Sequence, residues 1–180
     1  AGVKAWESTI LPADVKSIVI ESAVTRIEGL AFQGLENLES LVFKGAIEIQ
    51  PHSEGYDFFV PFNDTVKLKT ISFGGDVILG ANVFSYSSSN PNTALTELHF
   101  PGEARFINNN FTYCNELTKI VFAGNSVIQP LGNLCNLPKL KTVEFRDESQ
   151  ISLGNFQGSN NLETLIFSKK TTIGSNLFSN

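Results

Sequence analysis

Few residues of this 180-residue chain have side chains suited to nucleophilic or metal chemistry: two histidines, His52 and His99, and two cysteines, Cys114 and Cys135. A catalytic nucleophile needs a base within hydrogen-bond reach and a third group that orients the base. Both histidines fall in segments expected at the surface, so few triads are possible. Metal sites need several converging donors, and neither H-x-x-H nor C-x-x-C spacing occurs. The sequence therefore predicts no catalytic residues, no cofactor and no metal site.

Nucleotide, nucleic-acid and membrane binding are disfavoured as well. The chain has no G-x-x-x-x-G-K-S/T loop and no dinucleotide fingerprint. Its formal net charge is −5 and it has no run of basic residues, whereas surfaces that bind nucleic acid carry clustered Lys and Arg. No apolar run is long enough to cross a bilayer. We expect neither a nucleic-acid partner nor direct insertion into a membrane.

The elements that must position any functional side chain follow from an internal repeat. The six-residue pattern L-x-x-(I/L)-x-F, with close variants, starts at residues 15, 38, 68, 95, 117, 140 and 162. Four of the six intervals are 22 or 23 residues, and the two longer ones, 30 and 27, indicate insertions in a constant unit. A fixed period of this kind predicts a repeat solenoid.

Each copy predicts one coil of that solenoid, numbered 1 to 7 along the chain. The fourth and sixth positions alternate as in a short strand, and stacked coils bury the apolar face that one coil cannot bury alone. We expect a right-handed coil stack with one parallel β-sheet on its concave face. The convex side is expected to hold short turns, 3₁₀ turns or irregular backbone.

The two ends of the chain are expected to differ from the coils between them. Residues 1–14 predict an N-terminal cap with Trp6, Ile10 and Leu11 on its inner side, and residues 15–180 form the repeat domain. The C-terminal end is expected to be truncated, because no polar cap follows the last coil. Either more chain follows in a longer protein, which makes this a monomeric fragment, or a partner covers the end.

The repeat resembles the BspA-like, or Treponema pallidum-type, leucine-rich repeats. The best-matching stretches are LTELHFPGEARFINNNFTYC (95–114) and VKSIVIESAVTRIEGLAFQG (15–34), and the resemblance covers about residues 15–178. Coil 3 lacks the Cys, coil 5 has Leu134 where Phe is usual, and coil 2 is enlarged. The resemblance implies a non-catalytic cell-surface or secreted protein. Proteins with such repeats occur mostly in host-associated bacteria and some protozoa, with proposed roles in adhesion to host proteins or cells.

The two insertions supply the first group of candidate partner-binding residues. Binding residues are often carried on loops held by a rigid scaffold, and the insertions at 50–67 and 85–94 follow apparently equivalent parts of neighbouring coils. We expect the two loops to emerge side by side. The alternative is that the longer loop packs its own aromatic side chains. The candidates are His52, Tyr56, Asp57, Phe58, Phe59 and Tyr86.

The second group lies on the outward-facing third, fifth and seventh positions of the strands. These positions carry small hydroxyls, scattered apolar residues and mixed charges, without a carboxylate cluster or an aromatic stripe. A flat mixed face suits a protein or glycan better than a small molecule, which needs a concave apolar pocket. The alternative is an ordinary exposed sheet surface. The candidates are Val42, Lys44, Ser72, Glu97, His99, Lys119, Val121, Glu144 and Arg146.

Cys114 and Cys135 fall 21 residues apart, in nearly equivalent places of adjacent coils. Two interpretations stay open: two buried small hydrophobes, or a disulfide between stacked coils. For the whole chain, two functions stay open as well. One is a surface or secreted module that binds a protein or glycan, and the other is a rigid spacer within a larger surface protein.

Overall fold

The computed structural model describes residues 12–29, 31–32, 34–54, 57–59, 61–62, 64–130 and 132–177, and only the backbone at residues 12, 52–54 and 57–59. Within this part, one 3₁₀ helix, Pro12–Asp14, precedes sixteen short strands. They are β1 Ser17–Ile20, β2 Arg26–Glu28, β3 Ser40–Phe43, β4 Ile47–Gln50, β5 His52–Glu54, β6 Asp57–Phe59, β7 Thr70–Phe73, β8 Val77–Leu79, β9 Glu97–Phe100, β10 Ala104–Phe106, β11 Lys119–Phe122, β12 Ser126–Ile128, β13 Thr142–Phe145, β14 Ser149–Ile151, β15 Thr164–Phe167 and β16 Thr171–Ile173.

The first strand of every coil joins a row of parallel strands, which we call the first row. It consists of a three-stranded sheet, β1-β3-β7, and a four-stranded sheet, β9-β11-β13-β15. Each of these strands begins two residues after one of the seven repeat starts. The row continues across the break between β7 and β9, because the rings of Phe73 and Phe100 stack with centroids 5.1 Å apart. The repeat solenoid predicted from the period is confirmed.

A second parallel sheet was not predicted. Its seven strands run in the order β16-β14-β12-β10-β8-β4-β2 and form the second row. In the strands β8, β10, β12 and β14 the two outer residues point inward and the middle one outward, as in β10, where Ala104 and Phe106 are buried and Arg105 is exposed. The prediction of one sheet was therefore wrong. Each coil has one strand in each row, and each of these strands pairs with the equivalent strand of a neighbouring coil.

Columns of equivalent side chains fill the space between the two rows. Phe43, Phe73, Phe100, Phe122, Phe145 and Phe167 stack ring on ring through the first row, with centroids 4.9–5.4 Å apart. Phe32, Phe62, Phe84 and Phe111 form a second column at 4.9–5.1 Å. Each such pair adds about 0.5–1.5 kcal/mol beyond the burial of its apolar area. The stacked Phe rings of the described residues therefore belong to the core.

A line of buried asparagines connects coils 3 to 6. The Oδ1 atom of Asn110 accepts the amide of Val83, that of Asn133 accepts the amide of Asn110, and that of Asn155 accepts the amide of Asn133, at 3.0–3.1 Å. All three asparagines are fully buried. Their Nδ2 groups donate to backbone carbonyls, so both ends of each amide are satisfied. We call this set the asparagine ladder.

The backbone turns sharply beside the ladder. Phe111, Leu134 and Phe156, the residues that follow the three asparagines, have φ of 55°, 56° and 60°. This left-handed conformation is unfavourable for bulky residues and persists where the surroundings determine it. Side-chain burial holds it here, since all three residues are at most 1% exposed. Leu134 thus occupies the slot that holds Phe in the coils on either side.

At the N-terminal side, the 3₁₀ helix is hydrogen-bonded to the end of coil 1. The Asn37 side-chain amide donates to the Ala13 carbonyl oxygen at 2.9 Å. Trp6, Ile10 and Leu11, assigned to an N-terminal cap from the sequence, lie outside the described residues.

Candidate functional site

The outward third, fifth and seventh positions of the first row form one surface, which we call the first-row face. Strand register places equivalent positions side by side, for example His99, Val121 and Glu144 on β9, β11 and β13. The predicted candidates on this face differ in exposure. Lys44, Ser72, Glu97, His99 and Arg146 are exposed, Val42, Lys119 and Glu144 are half-buried, and Val121 is buried.

A small ion network lies at the centre of this face. Glu144 accepts Lys119 Nζ at 2.6 Å and Arg146 Nη2 at 2.6 Å, one cation on each of its carboxylate oxygens. These contacts lower the pKa of Glu144, first through the hydrogen bond from Lys119 and then through that from Arg146. Three side chains from two neighbouring coils are therefore held in a fixed arrangement.

Val121 is a correction to the sequence interpretation, because it is only 6% exposed although it faces outward. Its neighbours in register are His99 and Glu144. The Lys119–Glu144 ion pair joins the strand of Val121 to the next strand on the same face. Val121 is therefore enclosed within the face and offers a partner little apolar contact.

Glu97 and His99 lie beside the network and are available for an external partner. Both are exposed, and neither side chain makes a hydrogen bond or ion pair with any residue that the structure describes. Lys44, at the other end of the face, is paired with Glu21 at 2.7 Å. The face thus combines charges that are already paired with two polar side chains that are not.

The insertion of coil 2 is a β-hairpin. β5 and β6 pair antiparallel with His52 opposite Phe59, and Glu54 opposite Asp57. Thirteen positions separate Ile49 from Phe62, whereas five separate Leu79 from Phe84, and the difference equals residues 52–59. Of the predicted candidates here, Tyr56 and the side chains of His52, Asp57, Phe58 and Phe59 lie outside the described part of the chain.

In the insertion of coil 3, Tyr86 does not reach the surface. It is 6% exposed, and its hydroxyl lies 3.1 Å from Thr65 Oγ1, also buried. Burial raises the pKa of Tyr86. The assignment of Tyr86 as a partner-binding residue is therefore corrected: its ring belongs to the core, and the polar residues after it form the exposed loop.

The two insertions do not follow equivalent parts of their coils, contrary to the sequence interpretation. The hairpin precedes Phe62, whereas the Ser-rich loop follows Phe84. The rings of Phe62 and Phe84 stack with centroids 4.9 Å apart, so the insertions leave two neighbouring coils on opposite sides of this pair. A binding surface shared by the two loops stays a prediction.

The two cysteines are free thiols, both buried. They do not hold equivalent places, which corrects the sequence interpretation. The carbonyl oxygens of Cys114 and Leu137 accept the amide of the leucine that opens the next coil, at 3.1 Å in each case. Leu137 is therefore the counterpart of Cys114, and Cys135 lies two residues earlier. Burial raises the pKa of both thiols.

The described residues include no group of three or more His, Cys, Asp or Glu side chains placed to hold a metal ion. Within the same ranges, no helix has the length and apolar character needed to span a bilayer.

The chain matches a known protein family. The model of the "BspA type Leucine rich repeat region" matches residues 12–125 and 61–180, with 6 copies of the repeat. No curated protein and no solved structure matches the chain.

Proposed function

Since the chain belongs to the BspA-type leucine-rich repeat family, we propose that it is a non-catalytic cell-surface or secreted module that binds a protein or glycan through its first-row face. Repeats of this type are commonly protein-interaction modules, typically on the surface or secreted, and the solenoid family is typically non-catalytic. The adhesive role and host-derived partner implied by the sequence resemblance form part of the proposal.

The observation that carries it is the arrangement of His99 and Glu97 beside the Lys119–Glu144–Arg146 network. A partner that engages these two residues meets charged groups already oriented by the scaffold, so little side-chain entropy is lost on binding. The mixture of both signs on a flat sheet favours a macromolecular surface over a small molecule.

The rigid spacer remains the second candidate. Stacked Phe rings run from coil 2 to coil 7, and in-register strand pairing runs on both sides of them. Seven strands at the parallel spacing make a stiff body roughly 30 Å long. Such a body could present another domain without contacting a ligand itself.

The experiment is binding of the whole chain to an array of host matrix proteins and glycans. Two variants locate the site. One replaces Glu97 and His99 together by Ala, and the other removes residues 52–59, which restores the regular spacing from Ile49 to Phe62. The matched control replaces Glu36 and Asn160 by Ala, two exposed residues outside the first-row face.

Loss of binding in the Glu97/His99 variant, with binding retained in the control, supports the first-row face. Loss in the hairpin variant alone moves the site to the insertion of coil 2. No binding of the unmodified chain to any array member overturns the proposal and favours the spacer. Circular dichroism of each variant distinguishes a lost site from a lost fold.

A further inference from the structure

The second row carries a groove that the proposed function does not use. It holds about 310 Å³ and lies across the starts of β10, β12, β14 and β16. Two sets of residues line it: those just before the strands, Glu103, Asn125, Glu148 and Lys170, and outward middle residues, among them Gln150 and Thr172. Because coils repeat, equivalent polar positions from several coils lie next to one another.

The polar groups of this groove are not engaged with each other. The side chains of Asn125, Glu148, Gln150, Lys170 and Thr172 make no hydrogen bond or ion pair with any described residue. On the first-row face, by contrast, Lys119, Glu144 and Arg146 are mutually paired. The groove therefore offers hydrogen-bond donors and acceptors that have no partner among the described residues.

The composition of the lining selects the class of ligand. The groove has no aromatic residue and little apolar surface, which disfavours an apolar small molecule. A peptide added as a strand would pair with β16, the edge strand of the described second row, whereas the groove lies mainly over β10, β12 and β14, which are each paired on both sides. A metal ion is disfavoured because the Lys170 ammonium lines the same groove.

The hydroxyl groups of a sugar match the hydrogen-bonding side chains of the groove. Each hydroxyl both donates and accepts, and so do the amides of Asn125 and Gln150 and the hydroxyl of Thr172. The charges of the lining favour a neutral sugar over a charged one. Glu103 is paired with Arg105 at 3.2 Å, and the charges of Glu148 and Lys170 are opposite in sign. The lining is thus nearly balanced in charge, unlike the Arg or Lys clusters that bind phosphorylated or acidic groups.

We propose that this groove, formed by Asn125, Glu148, Gln150, Lys170 and Thr172, is a binding site for a neutral oligosaccharide. It is separate from the first-row face. A free oligosaccharide and the glycan of a glycoprotein offer the same chemistry to it.

The test uses the whole chain and a panel of neutral oligosaccharides, with sulfated and sialylated ones for comparison. Binding is followed by amide shifts in ¹H–¹⁵N NMR spectra. The variant replaces Gln150 and Thr172 by Ala, both exposed residues, so the fold should remain. The matched control replaces Gln157 and Thr96, exposed residues outside the groove, by Ala.

We expect a neutral oligosaccharide to shift the amides of the groove and the Gln150/Thr172 variant to bind about thirtyfold more weakly, since two hydrogen bonds of about 1 kcal/mol each are lost. The control and the Glu97/His99 variant should bind normally, which separates this site from the first-row face. Binding of acidic glycans only, shifts elsewhere, unchanged affinity in the groove variant, or no shift with any panel member each overturn the proposal. Binding of a glycoprotein that carries the same glycan, compared with binding of the free oligosaccharide, then distinguishes the two sources of the ligand.

Discussion

Asn133 Oδ1 accepts the backbone amide of Asn110 at 3.0 Å, although the two residues are 23 positions apart in sequence. The same contact is repeated one coil earlier and one coil later. A side chain therefore does between coils what strand pairing does elsewhere: it satisfies an amide at the turn, where no strand is present. Four experiments follow from this and related contacts.

Replacement of Asn133 by Ala should destabilise the fold by about 3 kcal/mol, because it leaves the Asn110 amide and the Ile107 carbonyl oxygen without the Asn133 side chain as their buried partner. Urea denaturation measures the change. Asn160, which is exposed, is the matched control, and its Ala variant should change stability by less than about 0.5 kcal/mol. Equal effects at the two positions would contradict a structural role for the ladder.

The Phe column predicts an effect that depends on position. Phe122 is fully buried between Phe100 and Phe145, so its replacement by Ala should cost about 3–5 kcal/mol. Phe167 is half-buried and stacks on Phe145, so the same substitution there should cost clearly less. Thermal unfolding compares the two variants. A larger loss at Phe167 would be incompatible with the packing described.

The ion network predicts that the pKa of Glu144 depends on Lys119. Since Lys119 and Arg146 lower the pKa of Glu144, their contribution to stability is present above the pKa of an unfolded Glu and is lost as pH falls through the lower folded value. Replacement of Lys119 by Met should move the Glu144 pKa back up, measured by ¹³C NMR of the carboxyl group. The control is Lys139→Met, whose partner is Glu116. If both variants leave Glu144 unchanged, the network does not form in solution.

The thiols should be protected in the folded protein. Cys114 is fully buried and Cys135 is 5% exposed, and burial raises the pKa of both, which reduces the reactive thiolate. We expect alkylation by iodoacetamide to be slow in buffer and complete in denaturing urea, with both thiols counted by mass spectrometry. Rapid labelling in buffer would show that this part of the core opens, and a missing thiol in urea would indicate a disulfide.

The period alone predicted the coils, because L-x-x-(I/L)-x-F and its close variants mark the first row at every repeat and the Phe column from coil 2 to coil 7. It missed the second row for a physical reason. Strands such as β10 have three residues, and one outward residue between two inward ones is too short an alternation to distinguish a strand from a turn. The asparagine ladder had a readable signal, an Asn directly before Leu134 or a Phe in three successive coils.

The sequence predicted which face of the sheet a side chain points to better than it predicted how exposed that side chain is. Val121 does point outward, yet it is only 6% exposed between its register neighbours His99 and Glu144. Tyr86 belongs to an insertion rich in Ser and Asn, yet its ring fills space beside Thr65. In both cases the deciding contact comes from another coil. A single coil's sequence cannot supply it, because contact between coils depends on side-chain length at the equivalent position.

The two rows of in-register strands have a consequence for how such a chain can change over generations. Equivalent inward positions of neighbouring coils meet, so duplication of one 22- or 23-residue stretch would extend the first-row Phe column and the strand pairing of both rows by one coil. The cross-section would stay constant while the reach of the molecule grew by one step. The number of coils, and with it the length of the molecule, can therefore change by duplication while the packing of the core stays the same.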